Sequence, residues 1–345
     1  MKKVAEMIGS VEELEEMLSE PSEAAVGAMS RLKGDILFLG VAGKMGPTLA
    51  RMAVRASEMA GVKRKVIGVA RFSNAEERPR LEKMGVETIK CDLLDREELE
   101  KLPDVANVVY MPAMKFGSTN QEALTWAMNT FLAGECARKY RKSKIVAFST
   151  GNVYGLSPVV RGGSLEGDVP GPAGDYAMSC LGRERMFEHF SRVNGTEVAL
   201  IRLNYAMEMR YGVLVDVAKR VWAGEVIDLA MGNFNVIWQG DANAMTLAAF
   251  DQVGTPPFVV NVAGPEMLSM RVVCERYGKL MGKDVKFTGG EAGDALLSNG
   301  QLGHRLYGYP RVSADQMMVW IAKWVMGGGK DIGKPTHFEA RDGRY

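Results

Sequence analysis

From Gly34 to Leu203 the chain repeats one pattern, a short apolar run followed by a longer stretch of helical periodicity. The runs are DILFLG, KVIGVA, VETIK, NVVYM, KIVAFS and EVALIRL, and helices are expected from Pro47, at about 119 to 142 and at 176 to 193. Strands that are apolar along their whole length are covered on both faces, and strands that alternate with helices pair in parallel. The expectation is an α/β fold, a doubly wound parallel sheet. Ahead of it, residues 10 to 33 predict two short helices: Ser10 and Glu13 make a capping box, Val11, Leu14 and Leu18 share a face, and Pro21 ends the run. Beyond about 205 the alternation loosens into shorter pieces such as TPPF and FTGGEAG, as expected of a smaller lobe over the carboxyl edge of the sheet. The expected division is a helical extension at 1–34, a doubly wound sheet domain at 35–204, and a mostly separate smaller lobe at 205–345 with returns to the sheet.

The first strand leads into GVAGKMG, which spaces Gly40, Gly43 and Gly46 as G-x-x-G-x-x-G before a helix whose first turn holds Pro47. A tight turn needs glycine, and a pyrophosphate can approach backbone N–H groups at a helix start only where side chains are absent. A dinucleotide site is expected here. After the second strand, Ala70 stands where a carboxylate would bond the ribose of NAD, and Arg71 follows it. Arginine suits a 2′-phosphate, so NADP is expected over NAD, with Lys44 of the glycine loop as a helper. Asp92, after the third strand, is placed to meet the adenine edge.

Composition narrows the partners. Lys plus Arg is 43 against 42 for Asp plus Glu, a net charge of +1, which points to a small molecule rather than nucleic acid or an anionic membrane. No apolar run approaches a membrane span, and the opening MKKVAEMIGSVEELEE turns acidic where a secretory signal needs an apolar stretch, so the expected compartment is the cytoplasm. Cys91, Cys136, Cys180 and Cys274 form no C-x-x-C pair and the three histidines form no H-E-x-x-H, so no metal is expected.

In order along the chain, GVAGKMG, CDLLD, the MPA of YMPAMK, Asn129 in WAMNTFLAGECA, FSTGNVYG, Tyr176 in DYAMSC, IRLN, WQGDANA and FVVNVAGPEMLS resemble the extended short-chain dehydrogenase/reductase family, the NAD-dependent epimerase/dehydratase group. The resemblance covers nearly all of 35 to 325. It implies a Rossmann sheet that binds the dinucleotide through Gly40, Gly43, Lys44, Met45, Gly46, Arg71, Asp92, Leu93, Pro112, Ala113, Tyr176 and Asn204. A smaller C-terminal lobe would close over a substrate that is usually a sugar. It also implies that Thr150, four residues before the tyrosine of V-Y-G, bonds the reacting oxygen, while Tyr176 gives or takes the proton there.

One departure concerns the lysine that such enzymes carry four residues after the tyrosine. Here that position is Cys180. A tyrosine ionises near pH ~10, so phenolate formation at neutral pH without a nearby cation costs roughly 4 kcal/mol. Lys115, after YMPA, is the expected replacement, ahead of Arg183, which lies about 10 Å further along the helix axis. Cys180 itself enters the candidate site at the lysine's position. As a nucleophile it would need a lowered pKa that no sequence neighbour supplies. A second departure concerns the arginine that grips the diphosphate in nucleotide-sugar members, whose counterpart here is Phe234. A free sugar or sugar acid is therefore expected, with Arg202 or Arg210 available to a carboxylate, Arg202 more as a structural residue. The expected activity is an NAD(P)-dependent oxidoreductase or epimerase; the alternatives are a non-catalytic NAD(P)-binding sensor, for which Cys180 speaks, and a lyase or dehydratase. The resemblance implies a homodimer through a four-helix interface built by the helices at about 119–142 and 176–193, whose apolar residues include Trp126, Phe131, Phe187 and Phe190.

Overall fold

A computed structural model describes residues 7–115 and 120–343. The chain begins with α1 (Val11–Leu18) and α2 (Glu23–Arg31). Ser10 Oγ accepts from Glu13 N–H at 3.1 Å, and the Glu13 carboxylate reaches back to Gly9 N–H at 2.7 Å, so the capping motif closes one residue wider than the simple box.

Seven strands follow: β1 (Ile36–Leu39), β2 (Val66–Ala70), β3 (Glu87–Lys90), β4 (Asn107–Tyr110), β5 (Lys144–Thr150), β6 (Val198–Leu203) and β7 (Phe258–Val262). They form one sheet in the order β7-β6-β5-β4-β1-β2-β3, every pair parallel. The crossovers are α3 (Gly46–Met59), α4 (Glu77–Lys83), α5 (Arg96–Lys101), the run of α6 (Glu122–Trp126) and α7 (Leu132–Lys139), and α8 (Gly174–Asn194). The expected start of the long helix at 119 lies outside the described residues. A π-turn, Ala127–Phe131, interrupts that helix.

Successive β1 side chains go to opposite faces, as strand geometry requires. Ile36 and Phe38 join Ala25, Met29, Leu49 and Leu247 on one side, and Leu37 and Leu39 join Leu99, Leu132 and Phe187 on the other. Each such side chain buried contributes roughly 1.5–3 kcal/mol, which is why the central strands β1 and β2 read as unbroken apolar runs. Phe187 is thereby corrected as an interface residue: it is 1% exposed and meets the Tyr110 ring edge-on at 5.1 Å.

After β6 come α9 (Val213–Ala223), α10 (Gln239–Ala248), α11 (Met270–Met281), α12 (Gln301–Tyr307) and α13 (Ala314–Met326). Val217, Tyr277, Trp320 and Ile321 make a separate lobe core. The chain returns to the sheet twice, through α10 and through β7. The two opening helices are shared out between these cores, since Ala25, Ala28 and Met29 of α2 pack beneath the sheet while Leu14 and Leu18 of α1 pack in the lobe. Among the described residues no helix is long and apolar enough to cross a membrane, and no group of three or more His, Cys, Asp or Glu is placed to hold a metal ion.

Candidate active site

Strand order reverses between β1 and β4, and ligands of open parallel sheets bind at the carboxyl ends of strands beside such a reversal. The glycine loop lies there. Gly40 has φ +78°, and a Cβ on it would stand 3.1 Å from the Pro112 nitrogen, so the loop after β1 presses on the loop after β4. At Gly46 a Cβ would fall 2.0 Å from Val41 O, which no side chain survives. Pro47 opens α3, and no side chain caps that helix. A helix start backed by glycine and lacking a side-chain cap presents N–H donors to an anion, so these residues fit the pyrophosphate of a dinucleotide.

Arg71 is exposed, one residue past β2. Asp92 holds its own turn through Leu94 N–H at 3.1 Å, with Leu93 buried beside it. Lys44 departs from its expected role at the 2′-phosphate. Its Nζ donates to Ala206 O at 2.9 Å and lies 3.7 Å from the centre of the Tyr211 ring, so it crosses toward the lobe. Burial pushes its pKa down to about 7, against the attraction of Glu208. Asn204 is buried as well, with its amide donating to Asn235 Oδ1 at 2.6 Å.

Thr150 ends β5, and Tyr176 is in the first turn of α8. Thr150 Oγ1 is 3.0 Å from Asn152 Oδ1 and accepts from Asn152 N–H at 3.2 Å. The angle of α8 is fixed from below by a buried ion pair in which Arg202 of β6 grips Glu184 with bonds of 2.9 and 2.7 Å; Ser149 Oγ donates to the same carboxylate. Arg202 is thus spent on structure. Arg210 is likewise engaged, with Glu208 and Glu15.

The loop after β4 is set by Asn129, which the π-turn carries. Its Oδ1 accepts from Met114 N–H at 2.8 Å, and its Nδ2 donates to Met114 O at 3.0 Å and to Ser179 Oγ at 2.9 Å. Arg183, buried on α8, donates to Asn129 Oδ1, Asn129 O and Phe148 O. It ties helix, π-turn and strand together, which leaves its donors committed. The side chain so positioned is Lys115, whose Nζ is 5.8 Å from the centre of the Tyr176 ring and 3.4 Å from Thr336 O. Burial brings its pKa down to about 8, with Cys180 and Asp216 opposing. Cys180, one turn beyond Tyr176, is fully buried, and burial pushes its thiol up despite Arg183, a hydrogen bond with Tyr176, and Lys115.

Tyr176, Lys115 and Cys180 are therefore neighbours, and the glycine loop shares their edge of the sheet. Sequence reasoning missed Asp216, Tyr211 and Thr336, which approach Lys44 and Lys115 from the far side. No motif marks them, because each is placed by how the lobe folds back.

A model of the NAD dependent epimerase/dehydratase family matches residues 36–207. Among solved structures, UDP-glucuronic acid 4-epimerase from Bacillus cereus, in complex with UDP-glucuronic acid and NAD, aligns at TM-score 0.68 and 17% identity, covering 85% of this chain and 99% of that one. The dTDP-glucose 4,6-dehydratase from Bacillus anthracis, in complex with NAD, aligns at 0.71 and 17%, covering 86% and 97%. UDP-glucose 4-epimerase from Thermotoga maritima, with UDP-glucose, aligns at 0.66 and 18%, covering 85% and 99%. No curated protein matches the chain in sequence.

Proposed function

This chain belongs to the NAD dependent epimerase/dehydratase family, an enzyme of the extended short-chain dehydrogenase type, and we propose that it oxidises, reduces or epimerises a sugar-like molecule with Thr150 and Tyr176 at the reacting oxygen. The observation that carries this reading is the approach of the Lys115 ammonium to within 5.8 Å of the Tyr176 ring centre, in a chain that has cysteine at 180. A bound nicotinamide supplies the acceptor or donor of hydride. Tyr176 gives or takes the hydroxyl proton, Thr150 orients the same oxygen, and the charge of Lys115 favours the phenolate that takes the proton. Asn129 holds the backbone that aims Lys115. A unit charge about 6 Å away is worth roughly 3 kcal/mol at an effective dielectric of about 20, which offsets most of the cost of ionising a tyrosine at neutral pH.

Of the similar solved structures, the Bacillus cereus epimerase holds UDP-glucuronic acid and NAD, the Thermotoga maritima epimerase UDP-glucose, and the Bacillus anthracis dehydratase NAD. For this chain we infer a free sugar or sugar acid, because Phe234 is buried against Phe338 instead of offering a cation. A panel of free sugars, sugar acids and UDP-sugars, assayed at 340 nm for cofactor turnover and by sugar analysis for epimerisation, tests the reading. Turnover of none of them counts against it and favours the sensor alternative.

NADP is the inferred cofactor, since Ala70 offers no carboxylate and Arg71 is exposed at the strand end. A charge-assisted pair contributes about 1.5–3 kcal/mol, so NADPH should bind roughly tenfold or more tighter than NADH, and Arg71→Ala should erase the difference. Equal affinities in calorimetry, unchanged by the substitution, would remove the assignment.

We also infer a homodimer through α6, the π-turn and α8, which leave Leu124, Trp126, Phe131 and Met178 exposed. Light scattering at micromolar concentration should give twice the chain mass, and a monomer mass would contradict it. Four free, buried cysteines suit the reducing cytoplasm.

A further inference from the structure

A cavity of about 310 Å³ opens between the loop that follows β7, the start of α12 and the turn at Gly162. Its hydrogen-bonding side chains are those of Asn235, Ser298, Asn299, Gln301, His304 and Tyr309, and no Lys, Arg, Asp or Glu is among the described residues that line it. The volume stands at the lower end of small-molecule sites, which run from roughly 300 to 1,000 Å³.

Buried bonds fix the walls. Asn235 Nδ2 donates to Gly264 O at 3.1 Å and to Ser298 O at 2.8 Å, while its Oδ1 accepts from Asn204 Nδ2 at 2.6 Å and from Ser298 N–H at 3.3 Å. Asn261 Nδ2, from β7, donates to Asn299 O at 3.0 Å. His304 Nε2 donates to Ala263 O at 2.8 Å, and its ring lies 4.9 Å from that of Tyr309, inclined by 30°. Other groups are left over. Ser298 is 2% exposed, and its Oγ has no hydrogen-bond partner among the described residues. A Cβ on Gly151 would stand 2.6 Å from that oxygen, so Ser298 is the wall shared by the cavity and the turn that starts at Thr150. Asn299 spends its Oδ1 on Gln301 N–H at 3.0 Å. Its Nδ2, the Gln301 amide and the Tyr309 hydroxyl make no bond among the described residues.

A buried hydroxyl without a partner has lost its hydration for nothing in return, and native structures keep such groups where water or a ligand completes them. The lining selects among ligands. A phosphate or carboxylate here would lack a counter-charge, and an ammonium would find no carboxylate. A wholly apolar molecule would leave the amides and hydroxyls unbonded. The hydroxyls of an uncharged polyol both donate and accept, which matches this mixed set, and a C–H face of such a molecule suits an aromatic ring.

We propose that this cavity is a binding site for an uncharged polyhydroxy molecule of about one sugar ring, with Ser298, Asn299 and Gln301 bonding its hydroxyls and Tyr309 covering one face. The site is separate from Tyr176 and does not depend on the chemistry assigned there.

The test is amide hydrogen exchange of the full chain, read by mass spectrometry, with methyl α-D-glucopyranoside as the probe and inorganic phosphate as the charged comparison. Exchange in residues 297–309 is expected to slow about threefold when the glycoside stands at twice its dissociation constant, and to stay unchanged in phosphate. Ser298→Ala and Tyr309→Ala should each raise the half-saturating glycoside concentration about fivefold, the worth of one hydrogen bond. Tyr309 is 69% exposed, so its variant keeps the fold, and melting temperatures check both. No slowing at 297–309 up to high millimolar glycoside overturns the site. Equal slowing by phosphate, or glycoside binding unchanged in both variants, overturns it as well, and so does slowing confined to residues 174–180, which would put the glycoside at Tyr176 alone.

Discussion

Tyr176→Phe is expected to lower turnover by on the order of 10²-fold or more. The substitution removes one oxygen from a side chain that is 9% exposed, packed with Val153, Tyr154 and Cys180 at the start of α8. The ring keeps its packing, so the fold should hold. On the proposed chemistry the loss is that of a proton donor and acceptor used in the transition state, and general acid–base groups contribute typically 10²- to 10⁴-fold. The measurement is kcat and kcat/KM on one identified substrate, with circular dichroism and the melting temperature as controls for the fold. Full activity in the variant would end the acid–base assignment.

Lys115→Met should lower turnover by about 10- to 100-fold, the larger figure applying if the whole of the roughly 3 kcal/mol from a unit charge some 6 Å away is expressed in the transition state. The pH profile separates this role from simple packing. The Lys115 ammonium titrates at about 8 because burial disfavours its charge, so support for the phenolate is present below that pH and fades as pH rises through it. The wild-type rate should fall on the alkaline side near pH 8, and Lys115→Met should lose that limb and shift its optimum upward. Stability moves the other way. A lysine whose folded pKa is depressed from 10.5 stabilises the fold most above 10.5 and loses that contribution as pH falls toward 8, so the methionine variant should melt higher than wild type at pH 7 and lose this advantage by pH 10.5. Cys180→Ser should matter much less, because burial keeps the thiol protonated. A dead Cys180→Ser beside a normal Lys115→Met would instead make the thiol the reacting group.

Much of this site was legible in the sequence. Gly40 and Gly46 announce a tight turn because the first has φ +78° and a Cβ on the second would stand 2.0 Å from Val41 O, and Thr150 and Tyr176 sit at fixed distances from a strand end and a helix start. Lys44 was misplaced. Its position in the loop was evident, but the direction of a long flexible side chain depends on what stands opposite, here Ala206 O and Tyr211. Phe187 was misassigned for a related reason, since an apolar residue on a helix reads alike whether it faces a second chain or its own sheet.

The sequence by itself determined the parallel sheet, its crossover helices and the loop at its reversal point, because strand burial, helix periodicity and glycine sterics act over a few neighbouring residues. Tertiary structure alone decided what surrounds Tyr176. Lys115 reaches it because Asn129, on a π-turn in another helix, holds the intervening backbone. Thr336 reaches Lys115 from 221 residues away because Asp216 of α9 holds it through its N–H and hydroxyl. Such contacts depend on the summed packing of distant elements, and no local pattern of residue types encodes them.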